Sequence, residues 1–437
     1  MATIPMPATP HPINYRTTFF KNWTGERRIT SLGTNAGALP LAFQRWRNFK
    51  EAFAPEIVER AVRETPGGVR HVIDPFGGSG TTAIAAQFLA ARPTTIEVNP
   101  YLADLIEAKL AIYDIDRVAN AFAKVCCEVF DSSPSGKPMW RGAPPTFVEP
   151  GVEGRYIFSK QIAHRLLSYL QAIDRLSSPD IRRLFRVLLG SIAVSTSNVI
   201  ISGKGRRYRQ GWQSRPIPTN RVDELFHQRV LEAIYDLRLY ESRACRDYVL
   251  LRGDCRKLLS SVEVADLAVF SPPYPNSFDY TDVYNVELWV LRYLDSAQAN
   301  RDLRNATLRS HVQIKRDMSG NRYTSRLLSK TLDALNKVRL GLWNNHIPEM
   351  IAAYVSDMGD VMLGLAAKLR PRGRVYMVVG DSCYAGVYVP IAKILAQIAP
   401  STGLSLIGND PCRSMRSSPQ QGGREELSEA LLIFEKK

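Results

Sequence analysis

The sequence lacks the cysteine and histidine patterns that hold metals or build disulfide scaffolds. Its 437 residues include six cysteines and six histidines, with no Cys-x-x-Cys pair and no histidines at ligand spacing. We therefore expect no structural zinc site and no disulfide framework, a composition that suits a reducing cytoplasm.

Long apolar runs are missing as well. No stretch is long enough to span a bilayer, and the opening MATIPMPATPHPINYR lacks the apolar centre of a signal peptide. These absences predict a cytoplasmic protein with neither a membrane nor a metal among its partners.

Acidic residues are scarce relative to basic ones. Lys and Arg number 57 against 42 for Asp and Glu, which gives a net charge of +15 and a pI of about 9.6. A surplus of this kind points to a polyanionic partner such as nucleic acid, although a merely basic soluble protein has the same composition.

The order of apolar segments predicts an α/β fold. A short strand at Val72 and Ile73, a glycine turn, a helix from about Thr81 and a second strand at 94–100 follow one another. This β-turn-α-β order is typical of a parallel, doubly wound sheet. The pattern is mostly helical from 112 to 245, with one helix capped by Ser178, and a further helix is expected over 49–64. Strands resume at 247–254, 265–270, 373–382 and 429–436.

The segment DPFGGSGTTA, 74–83, has the spacing of a nucleotide-binding turn. Gly78, Gly80 and Ala83 satisfy G-x-G-x-x-G/A between a strand and a helix. Glycines let the backbone approach a ligand closely, and the amides at the helix start favour negative or polar groups. Glu97 ends the next strand, where a carboxylate can accept hydrogen bonds from ribose hydroxyls. The pattern predicts a nucleoside cofactor and fits NAD and S-adenosylmethionine (SAM) equally, while a turn needing only glycine conformations would look the same.

The segment FSPPY, 270–274, ends a predicted buried strand with two consecutive prolines. Prolines fix φ and supply no N–H, so the turn is stiff and its carbonyls stay free as acceptors. We expect the Ser271 hydroxyl and the Pro272 carbonyl to accept hydrogen bonds from an exocyclic amino group on a flat base. These bonds would free the lone pair of the amino nitrogen to attack a methyl sulfonium. The Tyr274 ring would stack on that base and stabilise its developing positive charge by about 1–2 kcal/mol, so the Tyr274 ring would matter more than the Tyr274 hydroxyl. A base in a duplex would have to flip out to reach this site.

Together these motifs resemble those of the SAM-dependent amino methyltransferases of DNA. DPFGGSGTT is similar to their cofactor motif, IEVNP to their ribose-binding strand, RGDC to their adenine-contacting turn and SPPY to their catalytic tetrapeptide. FKEAFAPEIVERAV is similar to the segment that closes over the methionine part of the cofactor. The resemblance implies an α/β, doubly wound, Rossmann-like SAM-dependent methyltransferase sheet with a largely helical insertion, and S-adenosyl-L-methionine as cofactor.

The resemblance also implies two sets of site residues. The catalytic set is Ser271, Pro272, Pro273 and Tyr274. The cofactor-binding set is Lys50, Asp74, Phe76, Gly77, Gly78, Ser79, Gly80, Thr81, Glu97, Asn99, Asp254 and Cys255.

A serine in the first catalytic position is, in this family, more often associated with N4 of cytosine, and aspartate or asparagine with N6 of adenine. The resemblance therefore implies a site-specific DNA methyltransferase acting on cytosine N4, with adenine N6 as the alternative. The motif order departs from the commonest layouts. Here the cofactor motif precedes SPPY, whereas the sequence DPFGGSGTT is typical of members in which the cofactor motif follows the catalytic one. The order therefore assigns neither a subclass nor a recognition region.

Other functions fit parts of the sequence. Methyltransferases of RNA guanine or protein glutamine use similar Pro-Pro-Tyr turns, and an NAD-dependent oxidoreductase would explain the glycine turn but not SPPY. A cytosine-C5 enzyme would need a Pro-Cys nucleophile, yet Pro411 and Cys412 lie near the C-terminus and not on the strand after the Asp254 turn. A catalytically silent nucleic-acid-binding module would need decayed pocket motifs, and all of them are present.

The segment GKGRRYRQGWQSRP, 203–216, interleaves basic and aromatic residues. Cations neutralise phosphates and aromatic rings stack on or wedge between bases, although a solvated basic loop has the same composition. We predict double-stranded DNA as substrate, a cognate restriction endonuclease as a candidate partner, and a second contact patch at 413–424. The predicted DNA-binding residues are Lys204, Arg206, Arg207, Tyr208, Arg209 and Trp212.

These assignments divide the chain into parts. We predict an N-terminal arm (1–40), a first part of the catalytic domain with the cofactor motifs (41–111) and a helical insertion that is the candidate DNA-recognition region (112–245). The second part of the catalytic domain, with SPPY, follows at 246–437 and has a helical interruption near 296–350.

Overall fold

A seven-stranded sheet forms the centre of the protein. The computed structural model describes residues 13–25, 27, 29, 31–49, 51–131, 140–202, 205–416 and 426–437. The strands of the central sheet are β1 (His71–Asp74), β2 (Arg92–Glu97), β5 (Val249–Arg252), β6 (Ala265–Phe270), β7 (Leu369–Gly380), β10 (Leu404–Arg416) and β11 (Glu426–Lys436). Two hairpins lie outside it: β3 (Val199–Ser202) with β4 (Gly205–Tyr208), and β8 (Ser382–Tyr384) with β9 (Val387–Val389).

The strand order explains where a ligand can bind. The order is β10-β11-β7-β6-β1-β2-β5, and the five strands from β7 to β5 are parallel. The chain runs outward from β1 to β2 and β5, then returns to β6 on the other side of β1. Ligands of open α/β sheets bind at the carboxyl ends of strands where the order reverses in this way. Asp74 and Phe270 end the two strands that flank this point.

The predicted doubly wound, Rossmann-like α/β fold is confirmed, with one addition. β11 pairs antiparallel with β7 and with β10, so the sheet is mixed and not wholly parallel. Sequence patterns predicted β11 but not β10, because LSLIGNDPCRSMR contains glycine, proline and many polar residues. Such residues are tolerated because β10 is an edge strand.

Helices flank the sheet and fill the connections between strands. The helices are α1 (Ile13–Thr24), α2 (Glu56–Glu64), α3 (Thr81–Phe88), α4 (Pro100–Leu110), α5 (Ile115–Asp131), α6 (Lys160–Asp174), α7 (Pro179–Ala193), α8 (Asn220–Leu239), α9 (Cys255–Leu258), α10 (Tyr280–Val283), α11 (Asn285–Val290), α12 (Ala297–Ala306), α13 (Arg326–Lys337), α14 (Ile347–Lys368) and α15 (Ile391–Ile398). Short 3₁₀ helices lie at Ala36–Ala38, Leu259–Ser261, Arg339–Gly341 and Ala399–Thr402.

The local helix signals were partly correct. The helix start at Thr81 is confirmed, and the Ser178 hydroxyl accepts a hydrogen bond from the Ile181 amide as the N-cap of α7. The helix predicted over 49–64 begins only at Glu56, which follows Pro55. A residue before proline is driven out of the helical region, so the chain from Phe49 to Ala54 does not continue the helix.

The region between α4 and β5 is mainly helical but is not free of strands. It contains α5 to α8 together with the β3–β4 hairpin, which the sequence pattern did not reveal. α7 packs against α4 and α11, and a Cβ at Gly190 would lie 2.7 Å from atoms of both Tyr101 and Leu291. A larger residue there would push the helices apart. The predicted division into domains stays a prediction.

The α14 helix is a core element. Of the described residues, it alone forms a helix long and apolar enough to cross a membrane, and 78% of its apolar stretch is buried inside the protein. Met350, Tyr354 and Met358 are among its fully buried side chains. This burial accounts for its apolar composition.

Candidate active site

The glycine turn begins at Asp74, the buried last residue of β1. The Asp74 carboxylate accepts a 2.9 Å hydrogen bond from the Phe76 amide, which folds the chain back on itself. Gly78 and Gly80 have φ angles of +52° and +80°, a region that favours glycine. A Cβ at Gly77 would lie 2.4 Å from the Thr95 side chain. The turn therefore depends on its glycines for conformation and for packing on β2.

Glu97 ends β2 directly beneath this turn. Its Oε2 accepts from the Gly78 amide and its Oε1 from the Asn99 amide, both at 2.7 Å. Each carboxylate oxygen can still accept another hydrogen bond, so the side chain can hold the turn and a ligand hydroxyl together. Burial raises the pKa of Glu97 to about 7.

A lysine that sequence reasoning missed supports the turn from behind. Lys109 of α4 is 1% exposed, and its Nζ donates a 2.6 Å hydrogen bond to the Ser79 carbonyl. Burial lowers the pKa of Lys109 to about 7. The available signal was a lysine at helical spacing from the apolar Leu102, Leu105 and Ile106.

The RGDC segment lies beside Glu97. The Gly253 amide donates to the Glu97 carbonyl at 2.9 Å, and Asp254 caps α9 by accepting from the Arg256 amide at 3.0 Å. The Arg256 guanidinium binds both Asp254 oxygens and reaches the buried Asp357 of α14 at 2.9 Å. The Asp254 carboxylate is thereby fixed at the edge of the cavity, and Cys255 is buried next to it.

The chain before α2 covers the turn. The Phe49 ring lies 3.2 Å from the position of a Cβ on Gly78 and stacks on Tyr284 at 5.8 Å. Phe49, Glu51 and Phe53 line the cavity. Lys50 lies outside the described residues, so its predicted cofactor contact stays a prediction.

The SPPY segment forms the opposite wall. Ser271 Oγ donates to the Tyr274 hydroxyl at 3.3 Å, and that hydroxyl donates to Glu429 Oε1 at 2.9 Å. The next residue, Pro275, has its carbonyl held by the Ser382 hydroxyl at 3.0 Å and the Tyr384 hydroxyl at 2.8 Å. The rigid end of β6 is therefore anchored on β8 and β11.

A buried histidine lies on the same side as SPPY. His311 lines the cavity and is 2% exposed, and its Nε2 lies 3.9 Å from Asp279 Oδ1, beyond hydrogen-bond distance. Burial, with the nearby Arg316 and Arg304, lowers its pKa to about 3, so the ring is neutral. Its nitrogens can donate to or accept from a ligand that enters. No sequence motif indicated this residue.

One cavity of about 410 Å³ joins these walls. Of the predicted residues, Gly80 packs on Ile106 and is not among those that line it. Cys412 of β10 is not among them either, and burial raises its pKa to about 12, both of which disfavour a thiolate nucleophile. The predicted residues that line the cavity are Asp74, Phe76, Gly77, Gly78, Ser79, Thr81, Glu97, Asn99, Asp254, Cys255, Ser271, Pro272, Pro273 and Tyr274.

The charges around the cavity suit a cationic nucleoside. Asp74, Glu97 and Asp254 surround the glycine turn, and Glu51 lies nearby on the lining. Ionised carboxylates stabilise a positive ligand and repel a diphosphate. The residues present therefore fit SAM better than NAD. Within the described part of the chain, no cluster of His, Cys, Asp or Glu is placed to hold a metal ion.

The predicted DNA-binding residues that the structure describes lie on β4 and the turn after it. Arg207 is exposed and Arg206 partly so, while Arg209 Nη2 donates to the Val194 carbonyl at 2.9 Å. The Tyr208 and Trp212 rings stack on each other at 5.2 Å. β4 contacts α10, whose Tyr280 and Thr281 line the cavity. The hairpin therefore lies beside the cavity, whereas Lys204 and most of the patch at 413–424 lie outside the described residues.

Known proteins align with nearly the whole chain. It is 26% identical over 435 residues to type II methyltransferase M.AvaI of Nostoc sp. (strain PCC 7120 / SAG 25.82 / UTEX 2576), covering 90% of this chain and 86% of that protein. It is 24% identical over 475 residues to type II methyltransferase M.BsoBI of Geobacillus stearothermophilus, covering 94% and 89%. The predicted resemblance to methyltransferases is confirmed. No family model matches the chain.

Solved structures match more weakly. TrmN from Thermus thermophilus has a TM-score of 0.27 at 12% identity, covering 88% of this chain and 48% of that one. The rRNA methyltransferase aviRa from Streptomyces viridochromogenes has a TM-score of 0.29 at 11% identity, covering 88% and 85%. Scores this low carry no argument, and the fold assignment rests on the strand order.

Proposed function

We propose that the protein is a SAM-dependent, site-specific DNA methyltransferase that modifies an exocyclic amino group of a flipped base. The observation that carries this proposal is the shared cavity in which Ser271 and Tyr274 face the glycine turn and its carboxylates. Similarity to type II methyltransferases over 90% or more of the chain supports the same class.

The glycine turn and its neighbours would hold the cofactor. When bound, SAM supplies a methyl group attached to a positively charged sulfur. Glu97 has acceptor capacity left for ribose hydroxyls, and Asp254 is fixed where an adenine amino group can donate to it. Asp74 adds negative charge beside the turn, and Phe49 shields it from water.

The SPPY wall would hold the base. The Ser271 oxygen and the Pro272 carbonyl are acceptors that match the two hydrogens of an amino group, and these bonds favour a pyramidal nitrogen with an available lone pair. The Tyr274 ring offers a face for stacking, worth about 1–3 kcal/mol by comparison with bases on aromatic platforms.

We propose cytosine N4 as the target atom, because a serine occupies the first position of the catalytic tetrapeptide. Adenine N6 is the alternative, and the same-fold methylation of RNA is a further one. Cytosine and adenine both carry an amino group that the same acceptors could bind, so the methylated product must be identified to distinguish the two targets.

The hairpin would hold the duplex. Arg206 and Arg207 lie near the cavity on β4, where guanidinium groups can neutralise phosphates. Tyr208 and Trp212 place aromatic surface beside them. A cognate restriction endonuclease stays a proposed partner.

The test combines binding and transfer. Calorimetric titration with SAM and with NAD should show binding of SAM only, and saturable NAD binding would favour the oxidoreductase. Transfer of labelled methyl groups to duplex DNA should then yield N4-methylcytosine on digestion. N6-methyladenine would move the proposal to the alternative, and transfer to structured RNA alone would overturn DNA as substrate.

A further inference from the structure

A buried glutamate stands behind the catalytic tyrosine. Glu429 of β11 is 1% exposed, and its Oε1 accepts from the Tyr274 hydroxyl at 2.9 Å. Arg413 of β10 donates to both of its oxygens, at 2.8 and 3.1 Å. A Cβ at Gly33 would lie 1.8 Å from Glu429 Oε2, so a glycine there leaves room for the carboxylate.

These contacts fix the direction of a hydrogen-bond chain. Burial raises the pKa of Glu429, and the ion pair with Arg413 opposes that effect and favours the ionised form, which only accepts. Burial and the nearby Glu429 charge raise the pKa of Tyr274 well above its usual range, so the phenol keeps its proton. The Tyr274 hydroxyl must therefore donate to Glu429, and its oxygen is left to accept from Ser271.

The consequence reaches the base site. A serine hydroxyl has one hydrogen and two acceptor lone pairs. Because the Ser271 hydrogen points to Tyr274 at 3.3 Å, only its lone pairs remain for a ligand in the cavity. A free serine would rotate and could present its hydrogen instead, which suits a carbonyl oxygen and not an amino group.

We propose that Glu429 is a positioning residue that acts through Tyr274 to hold the Ser271 hydroxyl as an acceptor. The pair Arg413–Glu429 thereby makes the site selective for a base edge that carries an amino group. This inference rests on the proposed function, since it concerns the same catalytic step.

The isosteric change Glu429→Gln is the most informative variant. Its amide NH₂ must face an Arg413 donor in either orientation, since Arg413 contacts both oxygens. The closer Arg413 donor lies at Oε2, 2.8 Å away, so the NH₂ is favoured at Oε1, where it donates to the Tyr274 hydroxyl and reverses the chain. The Ser271 hydrogen would then point into the cavity, where it repels the amino group.

The experiment is single-turnover methyl transfer to duplex DNA at saturating SAM. Glu429→Gln and Tyr274→Phe should each slow transfer about 10-fold or more, with SAM affinity unchanged. The double variant should be no slower than the slower single variant, because both changes interrupt one chain. In a Ser271→Ala background, neither change should slow transfer further.

A matched control is Glu435→Gln, on the same strand and paired with Arg374 at 3.2 Å, which should transfer at the wild-type rate. Losses that multiply in the double variant would overturn the chain while leaving the proposed function standing. If Glu429→Gln does not fold, multiplicative losses in Ser271→Ala with Tyr274→Phe would overturn the chain equally. An inactive wild-type protein would overturn the proposed function and this inference together.

Discussion

The Gly78 amide donates a 2.7 Å hydrogen bond to Glu97 Oε2, which ties the glycine turn to the end of the second strand. The neighbouring Gly77 amide donates to the Ile96 carbonyl at 3.0 Å, so the turn is held by both backbone and side chain. In the proposed function, ligand binding and turn geometry depend on the same carboxylate.

Glu97→Gln should weaken SAM binding. Gln keeps one acceptor oxygen, so the loss of one hydrogen bond to ribose and of the charge assistance to the other costs about 2–3 kcal/mol, or roughly a 30- to 150-fold rise in Kd. Calorimetry measures this directly. Glu263→Gln, which alters an exposed pair with Arg92, is the control and should bind SAM normally. Unchanged affinity in Glu97→Gln would remove Glu97 from the cofactor site.

The contribution of Asp74 and Glu97 to stability should decline as the pH rises from about 4 to about 7. Burial raises the pKa of Asp74 from its ordinary 3.8, and that of Glu97 from 4.5, in each case to about 7. In this pH window the two carboxyl groups therefore hold their protons more tightly in the folded state than in the unfolded state. The free energy of unfolding falls as the pH rises, because the folded state binds more protons. Asp74→Asn should decline less steeply in urea titrations across the window. Parallel profiles would show that Asp74 keeps its ordinary pKa.

Replacing Arg206 and Arg207 together by Ala should flatten the salt dependence of DNA binding. Each phosphate contact contributes about 0.9 to the slope of log affinity against log salt, so the slope should fall by about 1.8. The control Arg372→Ala removes an exposed cation near the N-terminal end of β7 and should leave the slope unchanged. Equal slopes in all three proteins would place DNA elsewhere.

Arg209→Ala should instead reduce stability. Its guanidinium donates to the Val194 and Ser195 carbonyls just beyond α7, and these acceptors would lose their partner. The expected loss is about 1–2 kcal/mol in urea denaturation, with little effect on the salt slope. A changed slope at unchanged stability would assign Arg209 to the phosphate contacts that the sequence predicted.

Ser271→Ala should slow methyl transfer without affecting SAM affinity. Removing one acceptor that acts in the transition state costs about 3 kcal/mol, which corresponds to roughly 100-fold in rate. Single-turnover transfer measures the rate, and digestion of the product identifies the base. Full activity would contradict the proposed role of the SPPY turn, and 5-methylcytosine as product would return attention to Cys412.

The features that the sequence predicted are local ones. The turn from β1 into α3 and the Ser178 cap follow from residues a few positions apart, and β6 and β11 follow from their apolar runs. Glu429 could not be predicted from the sequence, because its proposed role depends on a contact with Tyr274, 155 positions away. The partner of the Tyr274 hydroxyl could not be predicted for the same reason, since it is supplied by a distant strand.

Gly190 has a consequence for engineering. The missing side chain lets α7 rest directly on Tyr101 of α4, the helix whose Ile106 packs under Gly80. One helix, α4, therefore carries both α7 and the glycine turn. Exchanging α7 between relatives would require transplanting both faces of its contact with Tyr101, because a bulkier residue at position 190 would displace the helix that supports the turn.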